Sequence, residues 1–373
     1  MYKDWIDEHF EEHLNLLKTL AAIPAPSHKE DKRVRFLTEL LASEGIYAYT
    51  DEAKNVIAPM GEGPNACVYS AHTDVVFPDE TPLPVREENG FLYAPGVGDD
   101  TANVAAIVTI LRYIREHGLK PKRPVLFVFN SCEEGLGNLK GTRQLLKDNA
   151  DRISEFVSFD CSLDEGMVTR AVGSERWRVT AKTEGGHSYS AFGKPNAIHR
   201  MARFVDALYS QEVPAKEGSR TTYNAGLISG GTSINTIAPE AELYYEYRSD
   251  DHRHLALMRE SFMRLLGDAD TPEAAFTAEL IGERPCGANV DEKAFDRLKA
   301  RCASAIGHAT GEPVMGFSAS TDANIPLSLG IPAVTFGLYS GGGAHTREEW
   351  LETASLKTGL EIGLSLVLNG HFV

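Results

Sequence analysis

Two adjacent carboxylates, Glu133 and Glu134, follow closely on an apolar stretch of the chain. The residues before them, Pro124 to Cys132, read PVLFVFNSC, and Val125 to Asn130 is apolar enough to form a buried strand. Two like charges at the end of a buried strand are costly unless a positive group lies beside them. The sequence therefore predicts a cation next to this pair, and other polar residues indicate which kind.

Polar side chains that suit metal ions accompany several other predicted elements. In open α/β sheets, ligands bind at the carboxyl ends of the strands, so we expect these side chains to meet at one rim. They are His72 and Asp74 after the strand ACVYSA, Asp160 at the end of EFVSFD, His345 in the stretch GGGAHTREEW after AVTFGLY, and Asp99 and Asp100 on the glycine-rich turn PGVGDD.

This set of side chains fits a two-metal site. Imidazole nitrogen and carboxylate oxygen are usual ligands of catalytic zinc, and no cysteine is needed. Two histidines and several carboxylates are too many for one open zinc site, but they suit two metals, ~3.5–4 Å apart, that share a carboxylate and activate one water. Asp74, two residues from His72 on an extended segment, points to the same side and can hold its second ring nitrogen. One glutamate of the pair would bind metal and the other would move a proton, and the residues alone leave open which does which.

Each of these pieces also has a simpler explanation. A His-x-Asp tripeptide is common, adjacent glutamates are mostly solvated surface, and two aspartates on a glycine turn are mostly turn formers. A solvated surface does not predict that the pieces follow successive strands. Their joint placement therefore favours a metal site.

Composition narrows the class of protein. The formal net charge of −16 argues against nucleic-acid binding, which needs a basic patch. Five cysteines without a CxxC pair indicate reduced thiols. The acidic start of the chain lacks a signal-peptide pattern, and its most apolar stretch is far shorter than the ~20 residues that span a bilayer. We expect a cytoplasmic protein that binds neither nucleic acid nor membrane.

Strands and helices alternate through most of the chain, which predicts an α/β fold with a mixed, mostly parallel sheet. Near the start, Ser27 and Glu30 predict a capping box for the second helix. The pattern changes near residue 173, where the predicted order becomes βαββαβ, the ferredoxin-like unit. We predict a catalytic domain from residues 1–172 and 284–373, and an inserted domain from residues 173–283.

Five motifs, in this order along the chain, resemble those of the dinuclear zinc exopeptidase and deacylase family (metallopeptidase family twenty). This family includes aminoacylase, carboxypeptidase G, succinyl-diaminopimelate desuccinylase and peptidase T. The motifs read AHTDVVF, YAPGVGDDTAN, NSCEEGLGNLKG, SFDCSLDEG and GGAHTREEWLE, and they extend over most of the chain. The resemblance implies a zinc-exopeptidase catalytic domain with two zinc ions, for which cobalt or manganese could substitute.

The resemblance also implies a role for each candidate residue. The metal ligands would be His72 and Asp160 on one zinc, Glu134 and His345 on the other, and Asp99 bridging both, with a cis peptide bond after it. Asp74 would orient His72. Glu133 would be the catalytic general base and acid, because the first glutamate of the pair has this role in the family.

The inserted domain resembles the family's lid, which carries dimerisation and part of the substrate site. The segment TEGGHSYSAFGKPNAI implies that His187 stabilises the oxyanion. The segment GGTSINTIAPEAELYYEYR implies that Asn235 lies near the oxyanion and that Arg248 binds a substrate carboxylate. Without the resemblance, His187 would be an ordinary loop histidine and Arg248 a surface residue. The segment STDANIP implies that Thr321 and Asp322 lie near the site.

Two positions depart from the family pattern. Many members have a lysine two residues after the bridging aspartate, where this chain has Thr101, and Asn103 replaces a glycine. The triplet DDT and the stretch HTREEWLE look closest to the peptidase T branch, which favours small peptides as substrates.

We therefore predict a zinc-dependent aminopeptidase that acts on di- or tripeptides and forms a homodimer through the lid. The alternative within the enzymes is an N-acyl amino acid deacylase or carboxypeptidase with the same dinuclear centre. The alternative outside the enzymes is a metal-binding protein that has lost catalysis. The presence of Glu133 argues against that alternative, because a binding-only protein does not need a proton acceptor beside the ligands.

Overall fold

The computed structural model of the protein describes residues 2–373. The chain divides into two compact units, one made of Met1–Ala171 and Ala288–Val373 and the other of Val172–Gly287. In the described residues, no helix is both long and apolar enough to cross a membrane.

The helices of the described chain are α1 (Tyr2–Ala22), α2 (Asp31–Ser43), α3 (Asn103–Glu116), α4 (Lys140–Asn149), α5 (Ala197–Tyr209), α6 (His252–Ala269), α7 (Glu292–Thr310), α8 (Asn324–Ser328) and α9 (Ser355–His371).

The strands, many of them short, are β1 (Tyr49–Thr50), β2 (Val56–Met60), β3 (Ala66–His72), β4 (Arg86–Glu88), β5 (Phe91–Tyr93), β6 (Val125–Asn130), β7 (Ile153–Phe159), β8 (Met167–Ala171), β9 (Gly173–Lys182), β10 (Gly186–His187), β11 (Thr221–Gly230), β12 (Thr236–Ile237), β13 (Glu240–Ser249), β14 (Ala275–Arg284), β15 (Gly316–Ala319), β16 (Ala333–Phe336), β17 (Gly341–Gly342) and β18 (Trp350–Glu352).

The first unit is built on an eight-stranded sheet in the order β1-β2-β6-β3-β7-β16-β8-β15. Its central strands β6, β3, β7 and β16 run parallel to one another, and β15 runs parallel to β8. The remaining neighbours, including β2 against β6, are antiparallel. The predicted α/β fold with a mixed, mostly parallel sheet is therefore confirmed.

The central strands are apolar on both faces because both faces are covered. In β6, Phe127 and Phe129 join the core layer that contains the apolar side chains of α1, α3 and α9. The alternate residues Leu126 and Val128 join the opposite layer, which contains apolar side chains of α4 and α8. A strand with period-two side chains that is buried on both sides must be apolar throughout, as the stretch VLFVF is.

A second, four-stranded sheet of the first unit joins two loops that carry candidate ligands. Its order is β17-β18-β5-β4. β5 leads into the turn that contains Asp99, β17 precedes His345, and β18 pairs with both strands, for example Trp350 with Tyr93. The small sheet therefore fixes the two loops relative to each other.

The predicted capping box at α2 is wrong. The helix begins at Asp31 after Glu30, and neither predicted side chain caps it. Ser27 instead donates a hydrogen bond to Asp74 Oδ2 at 2.7 Å, and Glu30 Oε1 accepts one from the backbone N–H of Cys132 at 3.0 Å. Both side chains thus stabilise the segments that follow β3 and β6.

The second unit has its own sheet and its own core. Its main elements follow the order β9-α5-β11-β13-α6-β14, with the short pair β10 and β12 added. The sheet is antiparallel in the order β11-β13-β9-β14, so β11 and β14 are its edge strands. Apolar residues of α5 and α6, such as Phe204 and Phe262, pack against Trp177 and Tyr245 of the sheet.

Candidate metal centre

The parallel strands β6, β3 and β7 bring the predicted ligands to one edge of the sheet. His72 is the last residue of β3, Asp160 directly follows β7, and the pair Glu133 and Glu134 comes shortly after β6. Because these strands are parallel neighbours, their carboxyl ends lie side by side. The side chains of His72, Asp160, Glu133 and Glu134 are buried, whereas that of His345, which follows β17, is more exposed.

Asp99 lies between the two histidines. Its Oδ1 is 3.0 Å from Nε2 of His72, and its Oδ2 is 3.1 Å from Nε2 of His345. The same Nε2 of His345 is 3.1 Å from Oε1 of Glu134. The peptide bond between Asp99 and Asp100 is cis. One carboxylate with an imidazole on each oxygen is the arrangement expected of a bridging ligand.

Potential ligand atoms form three overlapping groups at this edge, each with its atoms within 4.8 Å of one another. The groups are His72 with Asp100 and Asp160, His72 with Glu133 and Glu134, and Asp99 with Glu134 and His345. Asp100 is a poorer ligand than its neighbours, because its oxygens accept hydrogen bonds from the backbone N–H of His72 at 2.7 Å and from Asn103 Nδ2 at 2.5 Å. The part played by each residue at a metal stays a prediction.

Asp74 organises both His72 and the glutamate pair. Nδ1 of His72 lies 3.0 Å from the backbone carbonyl of Asp74 and 3.4 Å from its carboxylate, so Nδ1 carries a proton, and Nε2, which faces Asp99, is the nitrogen that a metal would take. The Asp74 carboxylate accepts hydrogen bonds from the backbone N–H groups of Glu133 at 2.9 Å and Glu134 at 3.0 Å. Asp74 therefore anchors the backbone of the pair as well as orienting the imidazole.

The crowding of buried acids shows in their pKa values. Burial and the charge of Asp99 raise the pKa of Glu134 to about 7 and raise the pKa of Asp160 well above its usual value. Hydrogen bonds to Asp99 and Glu134 raise the pKa of His345 to about 11. Against the effect of burial, hydrogen bonds from His345 and His72 lower the pKa of Asp99. This edge of the sheet therefore favours positive charge.

The donor set fits divalent metal ions. In the part of the chain that the structure describes, the three groups contain only imidazole nitrogens and carboxylate oxygens. Zinc, cobalt and manganese all accept such ligands. The nearby thiol of Cys132 is engaged with Glu30 Oε1 at 3.0 Å, and burial raises its pKa to about 12, so it is not available as a thiolate ligand.

Glu349 is a site residue that the sequence did not reveal. It is buried, and its carboxylate accepts hydrogen bonds from the backbone N–H groups of Gly96 at 2.9 Å, Gly98 at 2.8 Å and Asp99 at 2.8 Å. Burial, followed by the charge of Asp99, raises its pKa to about 7. It holds the turn that presents Asp99. The only signal for it was its place four residues after His345, in a stretch of charges that looks like solvated surface.

Asp322, expected near the site, is fully buried. Its oxygens accept hydrogen bonds from Thr142 and Asn130, both at 2.5 Å. Burial and then the charge of Glu133 raise its pKa to about 7. Thr321 contacts the hydroxyl of Thr335 at 2.8 Å and faces the core. Asp322 is thus a buried acid, held by Thr142 and Asn130, that lies close enough to Glu133 for their charges to interact.

The predicted substrate residues lie in the second unit. His187 is on β10 opposite Thr236, and the N–H of the following Ser188 donates to the carbonyl of Asn235 at 2.9 Å, so the structure places His187 and Asn235 on adjoining segments. Arg248 is on β13 and forms a two-point ion pair with Glu246, with N–O distances of 2.9 and 3.0 Å. A substrate carboxylate would therefore have to compete with Glu246 for this arginine. The roles of these residues stay predictions.

Comparison with known proteins adds to this geometry. A family model described as "Peptidase family M20/M25/M40" matches residues 68–369. A succinyl-diaminopimelate desuccinylase of Beijerinckia indica is 25% identical over an alignment that covers 96% of this chain and 98% of that protein.

Solved structures share the fold. An aminopeptidase PepT from Bacillus cereus has a TM-score of 0.74 at 18% identity, with 96% of this chain and 98% of that chain covered. A dinuclear metal-binding peptidase from Bacillus subtilis, ascribed to the M20 family, has a TM-score of 0.67 at 16% identity, with coverage of 96% and 98%.

Proposed function

This chain belongs to peptidase family M20/M25/M40 and is a hydrolytic enzyme, as the sequence motifs predicted, and we propose that it is a zinc-dependent aminopeptidase of di- or tripeptides. The observation that carries the metal-dependent part of the proposal is the Asp99 carboxylate, with the Nε2 atom of a histidine about 3 Å from each of its oxygens. Buried acids that only filled space would not be expected to have two imidazole nitrogens beside one carboxylate. The choice of di- or tripeptides rests on the resemblance to the peptidase T branch.

The residues present would hold two metal ions. His72 and Asp160 would hold one, Glu134 and His345 the other, and Asp99 both. When bound, zinc would polarise the carbonyl of the scissile bond and lower the pKa of the attacking water. The ligand assignment is supported by the groups of converging donor atoms and by the family to which the chain belongs.

Glu133 would act as general base and then general acid. Its backbone is fixed by the hydrogen bond to Asp74, next to that of Glu134, so its carboxylate is tied to the ligand set within one residue of chain. It would take a proton from the attacking water and deliver that proton to the amine that leaves. Asp74 would serve by keeping both the imidazole of His72 and this backbone in place.

The second unit would act as the lid. His187 and Asn235 would donate hydrogen bonds to the oxyanion, and Arg248 would bind a carboxylate of the substrate. Support for these roles comes from the resemblance of their segments to the family's lid and, for His187 and Asn235, from their adjoining positions.

We also propose that two chains associate through the second unit, as the resemblance implies. Among the described residues, β11 is an edge strand that pairs with β13 on one side only, and it exposes Leu227 and Ile228. A long apolar edge strand is a template for pairing with another chain. Cytoplasmic location remains a prediction, supported by the free cysteines of the described chain.

A deacylase or carboxypeptidase is the second candidate, and the desuccinylase from Beijerinckia is the observation that favours it. A panel on one peptide scaffold separates the candidates, with the amino end free, acetylated or succinylated and the carboxyl end free or amidated. We expect the free-amine peptides to be cleaved fastest by the zinc-loaded enzyme. Faster cleavage of the acetylated or succinylated forms would contradict the aminopeptidase proposal, and release of acetate or succinate in that reaction would establish a deacylase. If cleavage requires a free carboxyl end and does not depend on the state of the amino end, the enzyme is a carboxypeptidase.

A further inference from the structure

Arg33 is a fully buried cation beside the candidate metal centre. It lies on α2, and its guanidinium donates hydrogen bonds from Nη1 to the carbonyl of Thr73 at 2.9 Å and to Thr101 Oγ1 at 3.2 Å. Its Nη2 donates to the carbonyls of Leu20 at 3.0 Å and Ile23 at 2.8 Å. These acceptors are neutral, so the hydrogen bonds alone do not account for the presence of a charge.

The charge is accounted for by nearby acids. Burial lowers the pKa of Arg33 to about 10, while the charges of Asp74, Asp100 and Glu30 act to raise it. The guanidinium therefore remains a cation at neutral pH. Burying such a cation is costly unless it balances negative charge, and the Asp74 carboxylate supplies that charge.

The position of Arg33 links two ligand-bearing segments. Thr73 stands between His72 and Asp74, and Thr101 follows Asp99 after one residue, so one guanidinium is bonded to both segments. We propose that Arg33 is a positioning residue of the metal centre, whose hydrogen bonds hold both segments in place and whose fixed charge balances Asp74 before metal binds. This inference rests on the proposed metal centre and concerns the metal-free enzyme.

Thr101 offers a second position at which the role of Arg33 can be tested. The hydroxyl of Thr101 is 3.2 Å from the guanidinium. A lysine side chain at position 101 would therefore start within reach of the carbonyl of Thr73 that Arg33 now binds. In this chain the buried cation is supplied from α2 and not from the Asp99 turn.

The sign of the effect follows from charge balance. Bound metals would bring positive charge close to Asp74, the acid whose charge Arg33 balances in the metal-free protein. Loss of the guanidinium must therefore destabilise the metal-free form more than the loaded form. Loss of a side chain that merely filled space would destabilise the metal-free and the loaded form equally.

The test compares unfolding midpoints of the whole protein, stripped of metal by a chelator and then reloaded with zinc. The variants are Arg33→Met, Arg33→Met combined with Thr101→Lys, and the control Arg35→Met, which removes an exposed arginine from the same helix. We expect Arg33→Met to widen the gap between loaded and stripped midpoints by about 3 °C or more. We expect the control to leave the gap unchanged and the double variant to bring it back toward the wild-type value.

An equal fall of both midpoints in Arg33→Met would overturn the role of Arg33. If that variant fails to fold in either state, the double variant decides, because a folded double variant supports the proposal and an unfolded one contradicts it. A wild-type protein whose midpoint does not respond to zinc would instead refute the proposed metal centre, and the inference with it.

Discussion

Asp74 shows how much of the site depends on single atoms. Its carbonyl and carboxylate both face Nδ1 of His72, while its two carboxylate oxygens accept the N–H groups of Glu133 and Glu134. The two glutamates that follow each other in sequence are thereby given different surroundings. Glu134 faces His345 and the Asp99 carboxylate, which suits a ligand, and Glu133 is the residue for which we propose the role of moving a proton.

Replacing Glu133 with Gln should separate chemistry from metal binding. The amide keeps the size of the side chain but cannot accept a proton, so we expect turnover to fall by about 10²–10⁴-fold or more. Metal content, measured by atomic emission on the same samples, should stay at the wild-type level. The exposed Glu62→Gln variant should keep full turnover. Wild-type turnover in Glu133→Gln would remove this residue from the mechanism.

His13 should make stability depend on pH. It is fully buried, its Nδ1 contacts Thr109 Oγ1 at 2.8 Å, and burial lowers its pKa to about 4. The unfolded chain, with a histidine pKa of about 6.5, binds more protons than the folded chain between about pH 4 and 6.5. The free energy of unfolding should therefore decrease as the pH is lowered through this window. From this residue alone, the decrease between pH 7 and pH 5 should be about 2 kcal/mol.

Urea unfolding of the wild type and of His13→Gln at both pH values measures this contribution. The stability difference between the two proteins should shift by about 2 kcal/mol in favour of the variant at pH 5. A difference that does not change with pH would mean that His13 is protonated in the folded protein.

Sequence reasoning found the residues whose position follows from strand ends, and it missed those defined by contacts between distant segments. His72 and Asp160 could be predicted because parallel neighbouring strands end at the same edge. Glu349 and Arg33 could not, because each acts on loops far away in sequence and neither stands in a pattern that sets it apart from surface charges.

At the scale of elements, the long strands and helices were predictable and the short ones were not. β3 and β6 have continuous apolar runs, and α3 has an apolar face, so local sequence is enough to identify them. β17 and β18 have two and three residues, too few for any periodicity, and they exist because they pair with each other and with β5. The capping box failed because Ser27 and Glu30 bond to distant segments instead of to their own helix.

Replacing either of two helical glycines with alanine should change the stability of the protein, in opposite directions at the two positions. A Cβ at Gly359 of α9 would lie 1.6 Å from the carbonyl oxygen of Leu338, just beyond β16, whereas a Cβ at Gly267 of α6 would meet nothing within 4 Å. We expect Gly359→Ala to destabilise the protein by about 3 kcal/mol or more, because the backbone itself must move. We expect Gly267→Ala to stabilise by about 0.5–1 kcal/mol.

Thermal and urea unfolding of both variants gives the comparison. If Gly359→Ala proves as stable as Gly267→Ala, the close approach of α9 to the end of β16 is wrong.

At the scale of the whole molecule, the chain leaves its first unit at Ala171 and returns to it at Ala288. The change from βα alternation to the βαββαβ order, at about residue 173, was visible because each fold class has its own order of elements. What the second unit does was not visible in its periodicity. The proposed association of two chains came from the resemblance and is supported by the exposed edge of β11.

Leu227→Lys should weaken that association. Leu227 is 67% exposed on β11, and a lysine on an edge strand opposes pairing with another chain. We expect the wild type to sediment as a dimer and the variant to shift toward monomer at the same concentration. Leu329→Lys, at a residue 56% exposed in the first unit, should remain dimeric. A monomeric wild type, or a variant that dimerises as the wild type does, would reject the interface.

The metal content of the protein tests the central claim most directly. The protein is stripped with a chelator, reloaded with excess zinc, freed of unbound metal by gel filtration, and measured for zinc per chain by atomic emission. The arrangement of Asp99 between His72 and His345 predicts about two zinc ions per chain. Fewer than about one zinc ion per chain would contradict the dinuclear centre and the mechanism proposed from it.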